Sequence, residues 1–169
     1  MDIEDEDQTK TLIRFKEPPY LRTGPKGAPS TMREVLVREY MTSPAQVLAS
    51  ESSLSEALDL MHRHGIRHLA VVGPDERLLG ILSDRDLCRA QREHGVVSEH
   101  VTVDDVMVRW PYSVSPETRL DEAAAVMAGR KYGCAVAVEE ARIVGILTTT
   151  DALRALVDIR ARERGEWLT

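Results

Sequence analysis

The heptapeptide Gly80-Ile81-Leu82-Ser83-Asp84-Arg85-Asp86 returns later in the chain as Gly145-Ile146-Leu147-Thr148-Thr149-Thr150-Asp151. Each copy runs glycine, two aliphatics, a hydroxyl residue, two variable positions and an aspartate. The aliphatic pair suits the end of a buried strand, and a hydroxyl followed three positions later by an acid suits a helix start. A strand-to-helix turn leaves backbone N–H groups unpaired at the positive end of the helix, where phosphates and other anions bind. Ser83 with Asp86, and Thr148 with Asp151, therefore have two compatible readings: helix caps, or contacts to a bound anion.

The recurrence extends over most of the chain. Val35-Leu36-Val37 leads to Met41 and Pro44 as Val101-Thr102-Val103 leads to Met107 and Pro111, which predicts a short strand and one helical turn in each copy. Ser53-Leu54-Ser55-Glu56 is a capping box, and Leu54, Ala57, Leu58 and Met61 fall on one helical stripe; Leu120, Ala123, Ala124 and Met127 are their counterparts. Strand-forming runs at 66–72 and 132–138 are followed by turns at Gly73-Pro74-Asp75 and Glu139-Glu140-Ala141, predicting two hairpins. Leu87, Ala90 and Gln91, and later Leu153, Leu156 and Ile159, carry on as helices ending near Gly95 and Gly165.

Met41 and Met107 are 66 positions apart, as are Met61 and Met127, and Asp86 and Asp151 are 65 apart. An internal duplication explains these offsets. Strand, helix, strand, strand, helix in a unit of about 65 residues is too short to close a good core alone. The expectation is an α/β (α+β) protein whose halves pack face to face about a pseudo-twofold axis, with the two turns lining clefts between them. The expected divisions are an N-terminal arm at 1–31, repeats at 32–94 and 95–159, and a tail at 160–169. The proline- and glycine-punctuated arm reads as solvated or as a docking segment.

Composition narrows the function classes. A net charge of -6 argues against a nucleic-acid partner, because phosphate backbones are held by clustered Lys and Arg. Cys88 and Cys134 lie far apart without metal-ligand spacing, which fits a reducing compartment. No apolar run approaches the roughly 20 residues of a membrane span, and the acidic start is unlike a signal peptide. The expected location is the cytoplasm. His62 and His64 would point to different faces of a helix, so they make no metal pair with His68. Cys134 and His68 match a nucleophile pair by residue type only, and a small buried thiol is the commoner role. Trp110 has two open roles, stacking on a base or filling an interface, and Trp167 is expected to dock on a neighbour.

These features together resemble a tandem pair of CBS domains, the repeat named after cystathionine β-synthase, over about residues 32–156. The resemblance implies binding of adenosine-containing ligands, namely AMP, ADP, ATP, S-adenosylmethionine, NAD(H) or a cyclic dinucleotide. It also implies homodimers of modules in a flat disc, with no catalysis and output to a separate effector protein. By the same resemblance, Ser83 and Thr148 contact phosphate or ribose, and Asp86 and Asp151 accept bonds from ribose hydroxyls. Arg85 adds a permanent planar charge for phosphate that Thr150 cannot supply. The remaining turn residues Asp84 and Thr149 belong to the same half-sites. Thr42, Pro44 and Ala45, and Arg109, Pro111 and Tyr112, lie along the base, while His68 and Cys134 face the ligand. Arg67, Arg85 and His68 concentrate positive charge on the first copy, which is thus expected to be the better cleft and to favour phosphorylated ligands. The family also contains pairs with one or both clefts empty, in which the module serves dimerisation alone.

Overall fold

The computed structural model describes residues 34–94 and 101–165. The expected N-terminal arm, the helix end at Gly95 and Trp167 lie outside these residues. The first half supplies β1 (Val47–Ala49), α1 (Leu54–His64), β2 (His68–Val72), β3 (Leu78–Ser83) and α2 (Asp84–His94). The second supplies α3 (Val103–Val106), β4 (Val108–Arg109), β5 (Ser113–Val114), α4 (Leu120–Arg130), β6 (Cys134–Glu139), β7 (Arg142–Thr148) and α5 (Thr149–Glu163). One sheet has the order β1-β2-β3-β4 and the other β5-β6-β7. In each, the first strand runs parallel to the next, and a tight antiparallel hairpin follows.

The predicted helices and hairpins form, and their causes are local. Ser53 Oγ accepts from the Glu56 N–H at 3.2 Å while the Glu56 carboxylate accepts from the Ser53 N–H at 2.8 Å, closing the box that starts α1. Gly65 ends α1 with φ at 61°, a left-handed conformation that glycine adopts without penalty. At the same point of the second copy Lys131 takes φ 59°.

The strands expected at 35–37 and 101–103 do not form. Val37–Glu39 is a 3-10 turn, and Leu36 makes only an isolated bridge to Arg119. Thr102 instead caps α3, with its N–H and hydroxyl both donating to Asp105 Oδ2 at 2.9 and 3.0 Å. A local side-chain acceptor competes here with the β propensity of valine and wins.

These two turns cross between the repeats. Val103 and Met107 are buried in the core of the first half, beside Leu54, Met61, Leu69 and Leu82. Val37 is fully buried in the core of the second half beside Leu120, Met127 and Leu147, with Met41 packed against it. The chain then joins the opposite sheet. β4 pairs with β3, setting Val108 opposite Ile81, and Thr42 exchanges backbone bonds of 2.9 and 3.0 Å with Ile146. Each half thus completes the other, and the reciprocity is the pseudo-twofold relation expected of the duplication. α5 buries Ala155 and Ala161 but turns Leu153, Leu156 and Val157 to solvent.

Candidate functional site

The crossing makes two clefts, each built from both repeats. In the first, Ser83 and Asp86 at the start of α2 face Arg109, Pro111 and Tyr112, with Cys134, Tyr132 and Lys131 from the second half closing the wall. In the second, Thr148, Thr149, Thr150 and Asp151 at the start of α5 face Thr42 and Gln46, with Ile66 and Arg67 opposite. The cavities measure about 360 and 200 Å³ respectively. His68 lines both.

At the floor of each cleft the duplicated turn is a capping box. Asp86 Oδ2 accepts from the Ser83 hydroxyl at 2.5 Å and from its N–H at 3.1 Å, and Ser83 Oγ accepts from the Asp86 N–H at 3.3 Å. Thr148 and Asp151 repeat the pattern at 2.6, 2.9 and 3.3 Å. Both aspartates are buried, and Arg89 and Arg154 reach their Oδ1 atoms at 3.1 and 3.4 Å. Helix capping is therefore a role these residues fill within the chain. Each carboxylate oxygen has a second lone pair, so capping leaves room to accept from a ligand hydroxyl.

Several expected residues stand elsewhere than the sequence suggested. Arg67 lines the Thr148 cleft, not the first: the segment Gly65 to His68 that leads into β2 runs along the Thr148 cleft, and of these residues His68 also reaches the Ser83 cleft. Asp84 and Arg85 are exposed and line neither cavity, although their counterparts Thr149 and Thr150 line the Thr148 cleft. Pro44 and Ala45 also line neither. The positive charge expected at the first cleft is thus dispersed, and its Arg109 is already paired with Asp104 at 2.6 Å. Tyr132, Lys131 and Gln46 were not anticipated. Tyr132 and Ile66 are aligned in the duplication and each lines a cleft, a correspondence visible only once the structure places one of them.

His68 packs on Gly133 so closely that a β-carbon there would stand 2.7 Å from Nε2. Burial, the largest influence, holds its pKa below the ordinary value; Asp84 and Asp86 act in the opposite direction, Arg67 and Arg85 in the same. Burial also pushes the Cys134 thiol up to about 12, so it is not a poised nucleophile. Among the described residues no three His, Cys, Asp or Glu side chains converge as a metal site, and no helix is long and apolar enough to cross a membrane.

The CBS-domain family model matches residues 37–93 and 103–158. This chain belongs to the CBS-domain family. It is 30% identical to a protein assigned to acetoin utilization (AcuB) from Vibrio cholerae, with a TM-score of 0.71 over 80% of this chain and 100% of that one. It is 25% identical to the CBS domain pair of protein MJ0100, solved with 5'-methylthioadenosine and S-adenosyl-L-methionine (TM-score 0.68, 74% of this chain and 98% of that one). It is 26% identical to CBSX2, a CBS-pair protein from Arabidopsis thaliana, solved with AMP (TM-score 0.63, 74% and 98%). The chain spans 42%, 24% and 23% of the length of the first curated relatives it matches. Two of these neighbours, the MJ0100 pair and CBSX2, are thus solved in complex with adenosine compounds.

Proposed function

We propose that this CBS pair is a non-catalytic regulatory module that binds adenosine-containing ligands between its repeats, with AMP, ADP or ATP ahead of S-adenosylmethionine and NAD(H). The observation that carries the reading is the pairing, in each cleft, of a helix-opening turn from one half with the crossing segment of the other. A ligand held there bridges the halves, so it favours one arrangement of them over another. That is how a protein without a reacting group signals, through a change of arrangement or of assembly read by a separate effector. The protonated Cys134 thiol and the internally bonded Asp86 and Asp151 support a binding role over a catalytic one.

A cytoplasmic location is part of the proposal, supported by two unpaired cysteines. So is homodimerisation, which the exposed Leu153, Leu156 and Val157 on α5 would serve. The same stripe favours a second reading, in which the module is a dimerisation unit with empty clefts. Thermal unfolding against AMP, ADP, ATP, S-adenosylmethionine, NADH and cyclic dinucleotides separates the two. A true ligand at a hundred times its dissociation constant adds about 2.7 kcal/mol, a rise of several degrees for a chain of this size. A transition that none of these compounds moves leaves the dimerisation reading standing alone.

A further inference from the structure

Because the chain is a duplication, each cleft is a control for the other. Three aromatic side chains line the Ser83 cleft: Trp110, Tyr112 and Tyr132. The aligned positions in the other half, at the offset of 66, are Pro44, Gln46 and Ile66, and the described wall of the Thr148 cleft holds no Phe, Tyr or Trp. Tyr112 and Tyr132 stack with ring centroids 5.9 Å apart and planes at 27°. Trp110 is 86% exposed and sits at φ 56°, a conformation bulky residues seldom take. Its N–H donates to the Leu79 carbonyl at 3.3 Å, which ties the backbone of that turn to β3.

The polar walls differ in the opposite sense. The Thr148 cleft offers three consecutive hydroxyls and Arg67, which has no ion-pair partner among the described residues. A planar guanidinium of this kind suits a phosphate. In the larger Ser83 cleft the guanidinium of Arg109 is engaged by Asp104. Lys131 is an exposed point charge at the end of α4, which tolerates a phosphate without demanding one.

We propose that the two clefts divide the chemistry of an adenosine-containing ligand: the Ser83 cleft holds the purine by stacking and does not require its phosphate, while the Thr148 cleft selects the phosphorylated form. This rests on adenosine binding as proposed above and adds the selectivity of each cleft. A ring on Trp110 would cover apolar surface that water now touches, and stacking of this kind depends on the base face alone.

The test uses the full chain carrying Trp167→Phe, so that Trp110 is the single tryptophan. Adenosine and AMP are titrated while its fluorescence and the heat of binding are followed. Both compounds should quench Trp110 with similar dissociation constants, and Tyr132→Ala should weaken this event on the order of tenfold. Trp110→Leu, at a site too exposed to disturb the core, should weaken adenosine binding by calorimetry to a like extent. AMP should show a second event that adenosine lacks, weakened roughly tenfold by Arg67→Gln with the Trp110 signal unchanged. If AMP binds and adenosine does not, or if AMP stabilises the protein while Trp110 stays silent, the division is wrong and the binding function stands. The same holds if Trp110→Leu dissociates an oligomer without touching ligand affinity. Should neither compound bind by either readout, the binding function fails and the division with it.

Discussion

The thioether of Met107 lies over Gly80 so closely that a β-carbon there would stand 2.5 Å from Sδ and 3.0 Å from the Val108 carbonyl oxygen. Met41 has the same relation to Gly145, at 2.6 Å, with the Thr42 carbonyl at 3.0 Å. The first glycine of each duplicated turn is therefore a docking point for the segment that crosses from the other half. Met107 can bend away from an added methyl, but a carbonyl bonded into the sheet cannot. Gly80→Ala is expected to destabilise by about 1–2 kcal/mol, overpacking outweighing the smaller gain from a stiffer unfolded chain. Gly145→Ala should match it, and urea unfolding of the two variants checks both. Unchanged midpoints would show that the crossing segments are loosely held.

The capping boxes set a stability background for any binding study. Ser83→Ala and Thr148→Ala should each cost about 1 kcal/mol. Asp86→Ala should cost about 1–3 kcal/mol, because it strips the acceptor from a part-buried hydroxyl and N–H. Ser83→Ala combined with Asp86→Ala should lose less than the sum, since both belong to one network. Ser83→Ala combined with Thr148→Ala should be additive, the two boxes sharing no partner. Denaturant midpoints of the five variants decide this, and additivity within one box would contradict the hydrogen bonds described.

His68 predicts a pH dependence with a definite sign. Its folded pKa lies below the ordinary 6.5 because burial disfavours the charged ring. Between the folded value and 6.5 the unfolded chain binds more protons, so the stabilisation is complete above 6.5 and is lost as pH falls through that window. His68→Gln should flatten this part of the stability profile between pH 8 and 5. Equal slopes in the two proteins would place the titration elsewhere.

The duplication made the fold legible: residues at constant offset, such as Met61 with Met127, revealed two copies of one unit, and the helices, hairpins and inter-repeat clefts followed. Its crossing was not legible, because the Met41 and Met107 segments carry a pattern that suits either sheet equally. That ambiguity misplaced Arg67. The residue lies just before β2 of one repeat yet lines the cleft at the turn of the other, and only the pairing of Thr42 with Ile146 settles which turn that is. Asp84 and Arg85 were chosen as part of a motif whose second copy does line a cleft through Thr149 and Thr150; the shared turn pattern fixes the backbone and the cap, not which of the variable side chains reach a cavity.

The two cysteines should differ sharply in reactivity. Cys88 is exposed on α2, and Cys134 is buried with its thiol pushed up to about 12 by desolvation. At pH 8 a thiol-specific reagent should modify one cysteine in the native protein and both in denaturant, with mass spectrometry locating the first at Cys88. Rapid native labelling of Cys134 would mean that the Ser83 cleft opens far more readily than its packing indicates.

Crossing also bears on what can fold alone. A fragment of residues 32–94 is a complete repeat by sequence, but it lacks Val103 and Met107 from its core and β4 from its sheet. It retains Val37, whose place is in the other core. Residues 44–112 keep all the members of the first core together. Both pieces are short enough to be marginal, so a few buried side chains decide the outcome: loss of a buried methionine alone costs about 2–5 kcal/mol. The 44–112 fragment should show a cooperative thermal transition by circular dichroism, and the 32–94 fragment should show none. A cooperative 32–94 fragment would mean that each repeat closes its own core and that the crossing segments only decorate it.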